Sequence, residues 1–202
     1  MSEFTRDVLT RIAHQYYPSG FPVEKDDYSQ PLLAHQRTPE HDQWRAAWRK
    51  ALVWEQWDHL LNALEDTFPS EDPSDATQPW HSACRRCCIY ITGPLSEGRQ
   101  TLTRVAAAAS ILAPLYVTYV TTRILKPGVR PSPPQMTFEP PREVAPQAAL
   151  LSQIVERELG YRPFPLEFGG VTLSDLRVGF RNSMQPTTLL EALFSDHLEN
   201  LP

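Results

Sequence analysis

Four residues near the middle of the chain, His81, Cys84, Cys87 and Cys88, form the densest group of side chains able to do chemistry. They spell H-x-x-C-x-x-C-C, an imidazole and thiols at a spacing that suits half of a structural zinc site. Such a site usually takes a second ligand pair, and the chain has no cysteine outside residues 84–88 to supply it. If residues 84–92 form a strand, alternation also turns Cys87 away from the face of Arg86 and Cys88. Small buried core residues with one exposed thiol are therefore expected, and metal-dependent regulation through His81, Cys84 and Cys87 is the alternative function. A redox role for Cys84-x-x-Cys87 meets a different objection: such pairs sit at a helix N-terminus that follows a strand, and the order here is wrong.

Other chemical fragments are weaker still. Ser195, Asp196 and His197 are contiguous, whereas a catalytic triad requires the three groups to converge from supported positions, so capping or solvent exposure is expected. No phosphate loop, G-x-G-x-x-G or H-E-x-x-H pattern occurs. No catalytic, cofactor-binding or metal-binding residue is assigned on these grounds, and the chain is expected not to be an enzyme.

Recognition is the remaining means of action, and charge bears on the partner. Nineteen Lys and Arg against 24 Asp and Glu leave a formal charge of -5, which disfavours nucleic acid and favours a basic protein. Glu65, Asp66, Glu71, Asp72 and Asp75 lie in a stretch broken by Pro69 and Pro73 and read as an exposed acidic docking loop. Trp44 and Trp48, one helical turn apart, are the candidate aromatic contact surface. The charge-free run of residues 105–122 just reaches the roughly 18 residues of a membrane span. Pro114 interrupts it, however, and the β-branched and aromatic residues after Leu115 suit a buried strand, so no membrane association is expected. The grouped cysteines, together with an N-terminus of Ser2, Glu3 and Phe4 that lacks signal-peptide blocks, point to the cytosol.

The elements that must position these residues follow from periodicity. Phe4, Val8, Ile12 and Tyr16 predict a first helix over residues 3–17, capped by Ser2. Thr38-Pro39-Glu40 opens a long helix expected to run to Thr67. Its first half places Trp44, Ala47, Trp48 and Ala51 on one face, and its second half carries a stripe of Trp57, Leu60, Leu61, Leu64 and Phe68. At about 100° per residue the two stripes do not align, so the helix must break near residues 54–56 or bury its halves against different partners. Further along, strands are expected at 84–92, 115–125, 135–139 and 173–178. Helices are expected at 97–112, from Pro146 to the Gly160 stop, and at 187–194. The fold class is α/β in the α+β sense: one domain over 1–202, helical over 1–68, with a small, mainly antiparallel sheet of three to four strands packed by helices within 84–202.

Several stretches carry a family resemblance. They are Glu158-Leu159-Gly160-Tyr161 with Pro163 and Pro165, Leu173-x-Asp175-Leu176-Arg177-Val178, residues 188–196 from Thr188 to Asp196, and the Leu115-Tyr116-Val117-Thr118-Tyr119 strand. Together they resemble bacterial immunity-like proteins associated with polymorphic toxin systems. The resemblance implies a cytoplasmic protein that binds a cognate toxin and covers its functional surface, and it carries over no active-site residue.

Overall fold

Residues with β-branched and aromatic side chains in the middle of the chain build a sheet that organises everything else. The computed structural model describes residues 4–21, 27, 29–93, 98–129, 133–178 and 186–201. Strands β1 (Pro73–Asp75), β2 (Cys84–Thr92), β3 (Gln100–Ser110), β4 (Leu115–Leu125) and β5 (Gln135–Thr137) pair antiparallel in that order. The short β6 (Arg162–Pro163) adds in parallel to the start of β4, pairing Arg162 with Leu115. A separate two-stranded ribbon joins β7 (Thr172–Leu173) to β8 (Thr187–Thr188).

The helices are α1 (Arg6–Tyr16), α2 (Pro39–Ala51), α3 (Glu55–Thr67), α4 (Ala145–Leu159) and α5 (Leu189–Leu193). Helix α1 starts later than expected because the Thr5 side chain accepts the Val8 N–H and caps it; Ser2, the expected cap, lies outside the described residues. Thr38 does cap α2, accepting the His41 N–H at 3.3 Å with Pro39 behind it. The end of α4 at Gly160, φ +66°, and the reciprocal Thr188–Glu191 cap of α5 are as the sequence implies.

Four expectations are overturned. The helix over residues 97–112 is instead β3, an edge-to-edge partner of both neighbours from Leu102 to Ala109. Alanine favours helix by only a fraction of a kcal/mol per residue, and two full ladders of strand hydrogen bonds outweigh it. The span 39–67 is not one long helix but two, separated at residues 52–54, so the expected long N-terminal helical region is a set of separate helices. The strand over 173–178 shrinks to Thr172–Leu173, with Leu176 making only an isolated bridge to Ser19. The main sheet is also larger than the three to four strands expected, with six among the described residues.

The displaced stripes of 39–67 have a simple resolution, because the two helices bury against opposite faces of the sheet. Trp44, Trp48 and Ala51 of α2 join a core with α1, α5, Cys84, Cys88, Ala106, Ala108 and Tyr119. Trp57, Leu60 and Leu64 of α3 join α4, Cys87, Ile89, Val105, Ala107 and Val120 on the other side. Arg85 fastens the crossing between them. Its guanidinium donates to the Ala51 carbonyl at the end of α2 and to Asp75 of β1, both at 3.0 Å, and lies 4.6 Å from the Trp57 ring centre in α3. The charge thus meets a helix C-terminus, a carboxylate and an aromatic face together. Helix α4 is held to β4 by Tyr116 donating to Glu156 at 2.7 Å and by the Thr118–Ser152 hydroxyl pair. No described helix is long and apolar enough to cross a membrane, and residues 105–122 are two strands and the turn between them.

The alanines at 106–109 explain how both layers approach the central strand so closely: alternation sends Ala106 and Ala108 to one core and Ala107 and Ala109 to the other. Replacing Ala108, fully buried between Arg86 and Val117, by leucine should overpack that layer and cost about 1–3 kcal/mol. Urea unfolding monitored by tryptophan fluorescence measures this, and an unchanged midpoint would mean the layer is not close-packed there.

Candidate functional site

The chemical groups singled out along the chain do not converge. His81 is exposed, Cys84 faces the α1–α2 core, and Cys87 faces the α3–α4 core. All three cysteines are buried, so no thiol is exposed as expected, and burial raises each thiol pKa above its ordinary value. Among the described residues no group of three or more His, Cys, Asp or Glu is placed to hold a metal ion. Ser195 accepts the His197 backbone N–H at 3.0 Å, a turn-capping bond.

The proposed contact residues divide by environment. Glu65, Asp66 and Asp72 are exposed, Asp72 in the left-handed backbone region at φ +46°. Glu71 is half-buried, and its main-chain carbonyl accepts the Tyr90 N–H. Asp75 belongs to the frame: it accepts the Trp57 indole N–H at 3.1 Å and the Thr77 N–H at 2.9 Å besides pairing with Arg85. Trp48 is wholly buried, and its indole N–H donates to the Ser82 carbonyl at 2.8 Å. That bond ties the loop before β2 to the middle of α2.

The same loop brings a third tryptophan into contact with the other two. Trp80 sits 5.9 Å from Trp48 and 6.3 Å from Trp44 between ring centres. Its backbone adopts φ +68°, a conformation that is strained by about 1–3 kcal/mol for a bulky residue and that tends to mark functional positions. His41, one helical turn before Arg45, stacks on Trp44 at 5.4 Å with ring planes 15° apart. Beneath this cluster opens a cavity of about 510 Å³, the size that accepts a small ligand or a few side-chain groups.

Its walls come from six separated segments. Tyr17 at the end of α1 and His35 in the following turn form one side, and His41, Trp44 and Arg45 of α2 form the second. Trp80 and His81 close the mouth, while Arg177, Val178 and Asp196 approach from the C-terminal part. The character is aromatic with basic groups around it, and Asp196, its side chain 9% exposed, is the acidic member. Burial pushes the Tyr17 hydroxyl pKa far up, against a smaller opposite pull from the Trp44 indole N–H, so that hydroxyl stays a neutral donor. An enclosure of this kind can hold a ring or aliphatic group by stacking and burial, with cations to orient polar atoms. Sequence periodicity identified Trp44 but not Trp80, His35 or Arg177 as its companions, because no local pattern links them.

Two outcomes follow from these environments. Asp75→Ala should lower stability by about 1–3 kcal/mol, because it leaves Arg85 and the Trp57 N–H without their acceptor, whereas Glu65→Ala and Asp66→Ala should change it by less than about 0.5 kcal/mol. Equal effects in chemical denaturation would mean that the Asp75 hydrogen bonds add nothing to stability. The second concerns imidazoles. The Thr10 carbonyl at Nδ1 raises the His14 pKa, and Asp175 at Nε2 adds to it against partial burial. Burial first, then the Arg45 charge, lowers that of His41. His14 therefore contributes stability that is present below about pH 6.5 and is lost as pH rises through its folded value. His41 contributes in the reverse sense, with stability lost as pH falls below about 6.5 through its folded value. Imidazole titration by NMR should find His14 above and His41 below the ordinary value, with Arg45→Gln moving His41 upward; titration in the opposite order would disprove both environments.

Comparison with protein-family models, with curated proteins and with solved structures finds no match to this chain.

Proposed function

We propose that the chain works by protein recognition, as an immunity-type binder that neutralises a cognate bacterial toxin, and that the cavity framed by Trp44 and Trp80 receives an anchoring side chain of that partner. The observation that carries this proposal is Trp80 itself. A 40% exposed indole, held in a strained backbone conformation at the mouth of an aromatic cavity, is poor economy for a core and good design for an anchor site. Rigid aromatic rings contribute large contact area with little rotamer entropy to lose, which is why tryptophan dominates the energetics of many interfaces.

The charge distribution supports a basic partner. The chain carries -5 overall, and Glu65, Asp66 and Asp72 display carboxylates to solvent. Such groups accelerate encounter with a cationic surface and add little to the final affinity. Trp48 has a supporting role only, since its ring is enclosed and its N–H is committed to Ser82.

The test looks for a toxin gene in the coding neighbourhood and uses its purified product as the binding partner. Trp80→Ala should weaken the complex by about 10- to 100-fold, the range of an interface anchor, through faster dissociation. Glu65→Lys with Asp66→Lys should slow association and leave dissociation nearly unchanged. Surface plasmon resonance separates the two rates. A complex whose dissociation is unaffected by Trp80→Ala would remove the cavity from the interface, and a toxin that is not bound at all would remove the toxin.

A further inference from the structure

Beside the cavity, the end of α1 is tied to the C-terminal part of the chain by a histidine that meets an acceptor at each ring nitrogen. Nδ1 of His14 lies 2.8 Å from the Thr10 carbonyl, one turn back in α1, and Nε2 lies 3.0 Å from Asp175 Oδ2. A carbonyl and a carboxylate only accept, whereas a neutral imidazole carries a single N–H. Both contacts are hydrogen bonds only when the ring holds two protons and a positive charge. Among the described residues Asp175 is the charged group that acts on this ring, and none from α1 itself, or from α2 and α5 packed on it, joins it.

The same carboxylate oxygen accepts the Ser19 hydroxyl at 2.8 Å, and the Asp175 main-chain carbonyl accepts the Gly20 N–H at 3.0 Å. Ser19 and Leu176 add an isolated antiparallel bridge. These bonds join two short segments, and each segment runs directly into a wall of the cavity. Tyr17 and Pro18 come immediately before Ser19, and Arg177 and Val178 come immediately after Leu176. The spacing of the two walls is therefore fixed partly by this group of bonds. Burial of Leu176 and Val178, with the Thr187 hydroxyl donating to the Leu176 carbonyl, holds the second wall independently. Breaking the His14 contact thus loosens that wall without unfolding it.

We propose that the His14–Asp175 pair is a proton-operated clasp on the cavity, holding its two walls at a fixed spacing while the ring carries both protons and letting the C-terminal wall loosen when one leaves. Loss of that proton aims a nitrogen lone pair at an oxygen, either the Thr10 carbonyl or the Asp175 carboxylate, and removes the charge attraction as well. The Thr10 carbonyl first, and then Asp175, raise the His14 pKa above its ordinary value against partial burial. The clasp is therefore closed below about pH 6.5 and opens as pH rises through the higher folded value. Asp175, held below the usual carboxylate range by the Ser19 hydroxyl and then by His14, stays ionised across this interval. For partner binding the consequence rests on the anchor-site reading above: the anchoring group would be held more firmly in mildly acidic solution than in alkaline solution.

NMR of the full chain from about pH 5 to about pH 8, the interval in which imidazoles titrate, tests the clasp with no partner present, so its outcome is separate from that of the toxin-binding measurement. Water exchange at the Gly20 N–H, expressed as protection relative to the unfolded rate at each pH, should show protection falling about two- to fivefold through the His14 titration. That is the range open to a pair whose side chains are 35% and 50% exposed. The Trp80 indole N–H signal should move with the same midpoint. His35, His41 and His81 also line the cavity, and comparison with His14→Gln, which keeps a neutral donor toward Asp175, separates their contributions. Both responses at the His14 midpoint should vanish in that variant and in Asp175→Asn. Gly20 protection that stays flat through the His14 titration, or a response that persists in either folded variant, would overturn the clasp. A Trp80 signal with no inflection at the His14 midpoint would overturn its link to the cavity.

Discussion

A sheet that is apolar on both faces must be covered on both faces, and that requirement shapes the whole chain. Cys84, Ala106, Ala108 and Tyr119 look one way, and Cys87, Val105, Ala107 and Val120 look the other. An uninterrupted helix over residues 39–67 would cover only one of these surfaces. The break at residues 52–54 lets α2 lie on one side and α3 on the other, and Arg85 latches the crossing to α2, β1 and α3 at once. Removing water from both alanine-lined faces is the main driving force, at about 25 cal/mol per Å² of apolar surface buried. The small side chains of the central strand then determine how closely the two helical layers can approach.

The cavity is a by-product of that layering. Where α1, α2 and the C-terminal segment meet beyond the end of β2, their connections cannot pack as regularly as the helices themselves, and a gap of about 510 Å³ is left between them. Trp48 fastens the loop at Ser82 to α2, which in turn sets Trp80 over the opening. A surface anchored in this way by buried hydrogen bonds loses little freedom on binding, and pre-organisation of that kind favours affinity. The exposed acids on α3 and after it lie on elements that contribute nothing to this cavity, so in the proposed complex steering and anchoring would fall to different parts of the molecule.

Arginine is used in three ways on β2 and β3. Arg85 meets the Ala51 carbonyl, Asp75 and the Trp57 ring face at the layer crossing. Arg86, 1% exposed, donates to the His197 and Asn200 carbonyls and to Gln78, so it secures the C-terminal segment over the sheet. Arg104 lies over the Tyr90 ring and hydrogen-bonds to the Tyr90 side chain.

Local patterns were enough to place β2 and β4, where β-branched and aromatic residues are bounded by Gly93 and Pro114, and to mark the cap at Thr38 and the helix stop at Gly160. They also showed that residues 39–67 carry two incompatible stripes and that Cys87 points away from Cys88. These are properties of neighbours within a few residues, and periodicity reports them directly. Local pattern misjudged residues 97–112, because four alanines favour a helix in isolation and only the ladders to β2 and β4 make them a strand. The surroundings of Trp80, the burial of Trp48 and Asp75's place in the Arg85 latch were likewise beyond its reach. Each depends on residues tens to more than a hundred positions apart, and it is the docking of layers across the sheet, not the chain's local preferences, that brings them together.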